Sequence, residues 1–234
     1  MRHVKLIALI SSVMILIIST IAWSLTKNFD ATNVVLTAIT TIATVIMAVT
    51  IYQLDLTLQQ LRFDALNKTY EFLSNDIKQD LNIISQWAKE KRSPDEIFSG
   101  KDHDKNWQIV RFVSVAFNKV GYYVYKGFID ETFIQEEFGG LVVRSFIAIR
   151  PYLEYIRNKS EPEDKPWFMR RFYLMIVVVC ENYLRKNFPE YLKRLVNEYG
   201  NSDIKRDYDS GSLVPKRWLA KDVYSWLQKK GYLQ

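Results

Sequence analysis

Apolar residues are unevenly placed along the chain, and their spacing changes character near Leu54. Between Leu6 and Thr26 there are 21 consecutive residues without a charge, and between Ala31 and Leu54 there are 24. As helices rising about 1.5 Å per residue, each is long enough to cross roughly 30 Å of hydrocarbon. Only Lys27, Asn28, Phe29 and Asp30 lie between them, which leaves room for a tight connection. The pattern predicts two spans, about 6–26 and 31–54, joined as a hairpin. A cleaved signal peptide is the alternative for the first, since Arg2 and Lys5 precede it and Thr20-Ile21-Ala22 imitates a cleavage site. Its apolar run exceeds the roughly 7 to 15 residues usual there, and a second span follows at once. Small residues recur on one side of each span: Ala8, Ser12, Ser19 and Ala22 in the first, Thr37, Thr41, Thr44 and Ala48 in the second. Such seams let helices approach closely in lipid. They can pair within one hairpin, between hairpins of different subunits, or around a pore, although no ionisable residue sits mid-span where transport pathways usually need one.

After Leu54 the pattern becomes amphipathic. Leu54, Leu58, Leu61 and Ala65, then Leu66, Tyr70, Leu73, Ile77, Leu81, Ile84 and Trp87, return every three or four positions. This predicts a stalk helix over about 55–91, continuous with the second span. Ser93-Pro94-Asp95-Glu96 reads as a new helix start, with Ser as cap, Pro in the first turn and Glu placed to close a capping box. Trp107, Val110, Phe117, Val120 and Val124 predict a helix from Asp104 to Lys126. Gly121 lies inside it, where glycine costs about 1 kcal/mol relative to Ala, and marks a close crossing by another helix. Gly127 ends the pattern as a left-handed cap, and Asp130 caps the next start with Glu131 in its first turn. The stretch reads as a structural corner, with a ligand loop as the alternative.

Gly139-Gly140 leads into a helix over Leu141–Arg157, which Pro151 should kink or divide. Asn158 to Pro166 reads as an exposed link. The uncharged run Phe172 to Cys180 is too short to span a bilayer. It reads as the central buried helix of the domain, a buried strand being the alternative. A helix over 189–199, a polar loop over 200–214 and a C-terminal amphipathic helix over 215–230 complete the pattern. The fold class is all-α: a two-pass transmembrane hairpin (1–54), then a cytoplasmic multi-helix bundle (55–234).

Charge adds orientation. Arg2 and Lys5 flank the first span at its amino end while the connection carries one Lys and one Asp, so both termini should face the cytoplasm from the inner (plasma) membrane. The single Cys180 agrees with a compartment that does not favour disulfides. From Asp55 to Val214 there are 24 basic and 24 acidic residues, so the body is neutral and no nucleic-acid partner is expected. The surplus lies at the end: Lys216, Arg217, Lys221, Lys229 and Lys230 against Asp222. The apolar face of that segment, Leu219, Val223, Trp226 and Leu227, either docks on the domain core or lies on the anionic leaflet. In the second case Trp218 and Trp226 sit at the interface and the five basic residues contact lipid.

No catalytic constellation is present. His103, between Asp102 and Asp104, has no second His or Cys nearby to complete a metal set. Cys180 lies in an apolar run, where burial silences a thiol. Neither a phosphate-cradling loop nor a nucleophile elbow occurs, and no cofactor is implied. The best polar cluster is Arg144, Arg150, Glu154 and Arg157. Arg150 with Glu154 and Glu154 with Arg157 have the spacing of surface ion pairs worth ~0.3 kcal/mol. Arg144, among Val143, Phe146 and Ile147, either snorkels or pairs with Glu136 or Glu137, as a salt bridge or an anion site.

The order F-N-K-V-G-Y-Y-V-Y-K-G-F-I-D from Phe117 to Asp130, followed by V-V-R-S-F-I-A-I-R-P-Y-L-E-Y-I-R from Val142 to Arg157, resembles an uncharacterised prokaryotic family of helical, often membrane-anchored proteins catalogued as a domain of unknown function. The matching positions are Phe117, Gly121, Gly127, Arg144, Pro151, Tyr152 and Arg157, with Phe146 standing where many relatives carry Trp. The resemblance implies a helical fold and a membrane anchor and carries no reaction. The expected function is a membrane-anchored cytoplasmic interaction or sensor module working through lipid contact and through another protein or self-association. The alternative is a membrane-acting effector, defence or toxin-like, or an enzyme with an unrecognised site.

Overall fold

The longest apolar stretch forms the longest helix, α1, Phe29–Glu71, of 43 residues. The computed structural model describes residues 17, 20, 21, 23, 24, 29–99, 101–160 and 170–233. The chain divides into two compact units, 1–60 and 61–234. In the first, Thr37, Thr41 and Thr44 each donate to a carbonyl four residues back in α1, at 2.8 Å. Their hydroxyls are thus satisfied inside their own helix, which lets them tolerate an apolar surround. A window of 18 residues within Asn33–Asp76 has mean hydropathy 2.4, and protein buries none of it. It is the one helix among the described residues long and apolar enough to cross a membrane. The expected first span falls almost wholly outside the described residues.

The second unit departs at once from the expected stalk over 55–91. α1 ends at Glu71, Phe72–Asp76 forms a π-helical turn, and α2 follows over Lys78–Lys89. The Ile77 N–H donates to the Phe72 carbonyl, five residues back, at 3.2 Å. The reason lies in the spacing. Ala65, Thr69, Leu73, Ile77 and Leu81 are all buried, and residues four apart drift about 40° per step around a helix of 3.6 residues per turn. A wider turn takes up that drift and keeps the row on the core.

The short helix α3, Pro94–Phe98, starts as its sequence predicts, with Ser93 Oγ accepting from the Glu96 N–H at 3.2 Å. The Glu96 carboxylate does not close the box; it takes Arg92 Nε at 2.7 Å. α4, His103–Tyr125, crosses α7, Arg171–Asn187, at Gly121. A Cβ there would stand 2.1 Å from the Phe172 carbonyl oxygen. One turn earlier, Asn118 Oδ1 accepts from the Phe172 and Tyr173 N–H groups at 3.1 and 3.3 Å. One helix therefore caps the donors that open the other. Phe117, buried, stacks on Tyr173 with ring centroids 5.0 Å apart. Phe172 to Cys180 is helical and buried, which settles the strand alternative.

Gly127 follows α4 with φ +72°. Its N–H reaches Val124 O at 3.0 Å and the Phe128 N–H reaches Tyr123 O at 2.9 Å, the paired bonds of a Schellman cap. Asp130 Oδ1 then accepts from the Thr132 N–H at 2.7 Å. That starts α5, Glu131–Phe133, which passes through a π-helical segment, Ile134–Phe138, into α6, Gly139–Ser160. Gly139 and Gly140 are thus helical. Pro151 does not divide α6, and Asn158 to Ser160 belong to the helix instead of a link; the rest of that link lies outside the described residues.

Two further corrections concern the C-terminal third. After α8, Pro189–Tyr199, the stretch expected as a polar loop contains α9, Ser202–Asp209. Asn201 caps it by accepting the Ile204 N–H at 2.9 Å, and Ile204 anchors it in the core. α9 carries only Ile204 and Tyr208, four apart, as core-facing residues, a pattern too short to stand out in a polar stretch. The last helix does not start at Pro215: Lys216–Trp218 is a 3₁₀ turn, Leu219 and Ala220 are extended, and α10 covers Lys221–Lys229. Trp218, Leu219 and Ala220 are all buried, and a helix would turn one of three successive residues away from the core.

Gly121→Ala should destabilise the protein by about 3 kcal/mol, because the added methyl meets backbone that cannot swing aside. Gly127→Ala should cost only about 1 kcal/mol, the penalty of a left-handed L-residue, since nothing lies within 4 Å of the new atom. Thermal or denaturant unfolding of the two variants should rank them in that order. Equal losses would refute the close crossing.

Candidate functional site

Residues four and three apart on α6 bring Arg150, Glu154 and Arg157 to one face. With Asn158, with Asp203 and Arg206 from α9, and with Arg217 and Trp218 from the 3₁₀ turn, they line a cleft of about 400 Å³. Arg150 is not the surface ion-pair partner its spacing suggested. It is 3% exposed, donating from Nε to Glu154 at 2.7 Å, to Asp207, and to the Leu213 carbonyl at 3.0 Å. Its flat face lies 4.5 Å from the Trp218 ring centre. Burial of a guanidinium is tolerable only with such complete replacement of its water.

A second buried charge supports the same segment. Glu181, on α7, accepts the Leu213 N–H at 2.9 Å and Arg185 at 2.7 Å. Burial pushes its carboxyl up, opposed by the Arg185 guanidinium and the Leu213 N–H. Arg185 also donates to the Tyr208 carbonyl at 3.0 Å and lies over the Tyr208 ring. The cleft wall at 207–214 is therefore held from α6 and α7 together.

What remains for a ligand is guanidinium chemistry. Arg206 is largely exposed, 3.0 Å from Asp203 and 3.7 Å from Asp207. Arg217 is exposed and makes no ion pair among the described residues, and the half-buried Arg157 shares the cleft wall. Planar, multiply donating groups of this kind suit carboxylate or phosphate oxygens. The cleft is lined by guanidinium groups, the Asn158 amide and the carboxylates of Glu154 and Asp203, and its arginines equip it to hold an anion.

The other candidates are placed elsewhere. Arg144 is outside the cleft; it forms no pair with Glu136 or Glu137 among the described residues, and its Nε is buried without a hydrogen-bond partner. Of the residues expected at lipid, Trp218 is buried against Arg150, so it cannot lie at an interface. Lys216, Lys221 and Lys229 are exposed. Lys230 pairs with Glu131 at 3.1 Å, and Trp226, half-buried, stacks on Tyr232. Val223 and Leu227 are fully buried, so the apolar face of α10 docks on the core and does not lie flat on a leaflet. His103 opens α4 beside Asp104 at 3.2 Å, and no metal-binding group of His, Cys, Asp or Glu occurs among the described residues. Cys180 is buried, which pushes its thiol well up. Sequence reasoning missed Glu181, Arg185, Asp207 and Leu213; the four-residue spacing of Glu181 and Arg185 was the one available signal.

Arg150→Ala should cost about 3 to 5 kcal/mol, since it leaves buried acceptors without their charge. Arg206→Ala, at an exposed pair, should stay within about 0.5 kcal/mol. Unfolding curves for the two variants check this, and a mild Arg150→Ala would show that the buried network is not structural.

A family model described as a domain of unknown function, DUF4760, matches residues 37–176. No curated protein matches the chain, and no solved structure matches it.

Proposed function

The chain therefore belongs to the DUF4760 family, and from that premise we propose that it is a membrane-anchored helical interaction or sensor module. The observation that carries the reading is α1. Its apolar window has no protein cover, while further along the same helix Ala65 and Thr69 are buried in the core of the 61–234 unit. A helix so divided suits an anchor that is also a structural part of the domain it holds. The proposed topology is a two-pass hairpin in the inner membrane with both termini cytoplasmic. Leu54, Leu58 and Leu61, all exposed on α1, supply a face for self-association or a protein partner. The arginine-lined cleft supplies a place for an anionic group.

Cysteines placed at Arg2 and at Ser202 should both resist an impermeant thiol reagent in intact cells and both react after lysis; labelling of only one before lysis would rule out the two-pass topology. The effector alternative is separated by reconstitution. Vesicles carrying the chain should retain an entrapped dye as well as empty ones, whereas chain-dependent leakage would reverse the choice.

A further inference from the structure

A second hollow, of about 440 Å³, lies within the 61–234 unit where Arg62, near the end of α1, meets the Gly127 corner and the end of α10. Its charges are unevenly committed. The Asp130 carboxylate is occupied by the Thr132 N–H at 2.7 Å, and Glu131 by Lys230 at 3.1 Å. Among the described residues Arg62 and Lys126 make no ion pair, and the Lys126 ammonium is 5.7 Å from the Tyr122 ring centre. Two cations thus line one hollow beside a carboxylate committed to capping a helix, Asp130, and one paired with Lys230, Glu131. Aromatic rings border it, with Trp226 and Tyr125 centred 6.3 Å apart.

We propose that this hollow is the binding site for the phosphate of an anionic phospholipid headgroup. The proposal rests on the membrane-anchored reading above. Arg62 is eight residues beyond Leu54, the last of the uncharged run, so along a helix it stands about 12 Å past the hydrocarbon edge. The headgroup layer is about 5 to 8 Å deep on each side, so the Arg62 backbone stands a few Å outside it, and its long basic side chain reaches back to the phosphates. The phosphate's two free oxygens match two cations, Arg62 as a planar multiple donor and Lys126 as a point charge. Each basic group beside such a surface multiplies affinity about fivefold. The corner with its glycine thus has both a structural and a binding role.

The test uses the full chain reconstituted into vesicles of phosphatidylcholine, with or without phosphatidylglycerol, and reads amide hydrogen exchange over 124–131. Exchange should slow several-fold when phosphatidylglycerol is present, and return to the phosphatidylcholine rate in high salt and in the Arg62→Gln, Lys126→Gln double variant. The charge-keeping Arg62→Lys, Lys126→Arg pair should restore much of the protection, which separates loss of the site from loss of fold. Equal exchange in both vesicles, with the chain retained in each, overturns the site and leaves the anchor standing. A chain retained in neither overturns both. Inorganic phosphate added to phosphatidylcholine vesicles distinguishes the source: slowing as strong as with the anionic lipid would overturn the headgroup as occupant.

Discussion

A charged side chain costs several kcal/mol to bury unless hydrogen bonds replace its lost water. Among the described residues the 61–234 unit buries two, Arg150 on α6 and Glu181 on α7. Both reach the peptide groups of one residue: Glu181 takes the Leu213 N–H and Arg150 donates to the Leu213 carbonyl. An apolar residue with no exposed surface therefore becomes the point where two helices and a connecting segment are fixed. Much nearby depends on this. The polar helix α9 is capped by Asn201 at one end and held near the other by Asp207 on Arg150 and by Arg185 on Tyr208. Trp218 has its place because Arg150 offers its flat face. The cleft owes its shape to groups spent on structure, and its chemistry to the arginines that line it.

A second constraint is steric. α4 and α7 approach so closely at Gly121 that no Cβ fits, and Asn118 supplies the acceptor that the opening turn of α7 lacks. Capping from a neighbouring helix couples the two elements: α7 can begin at Arg171 because α4 is there. The end of α1 enters the same unit by aromatic contact, Tyr70 meeting Phe133 and Phe138 with centroids 5.8 and 5.2 Å apart. The π-helical turn at Phe72–Asp76 then keeps the buried row of α1 in step with α2.

Features written in local chemistry were legible in the sequence. Ser93, Gly127 and Asp130 mark helix ends by the conformations and acceptors those ends need, and the uncharged run into Cys180 marks a buried helix. Features set by partners far along the chain were not. Nothing near Arg150 announces Asp207, 57 positions away, so an ordinary four-residue ion pair concealed a buried hub. α9 was invisible because its anchoring is mostly polar, and the break at Leu219-Ala220 because burial of three successive residues overrode a good amphipathic pattern. Of the polar cluster, Arg150, Glu154 and Arg157 line one cleft, as their spacing on one face allows; Arg144, read from the same helix, does not line it.

Net charge illustrates how the two levels differ. Equal numbers of acids and bases over 55–214 exclude a broad basic face, and that conclusion rests on composition alone. The carboxylates, however, are not distributed as free charges. Asp130 is a helix cap, Glu131 holds Lys230, Glu154 and Asp207 hold Arg150, and Glu181 holds Arg185 and a peptide. Each acid so engaged is held where it stands by its partner, so it is not free to serve as the counter-charge of a cation elsewhere. Cations without an ion pair among the described residues lie at Arg217 beside the cleft and at Arg62 and Lys126 beside the corner. Two small hollows can therefore suit anions although the stretch over 55–214 is neutral, because net charge counts residues and a hollow responds to the few that line it.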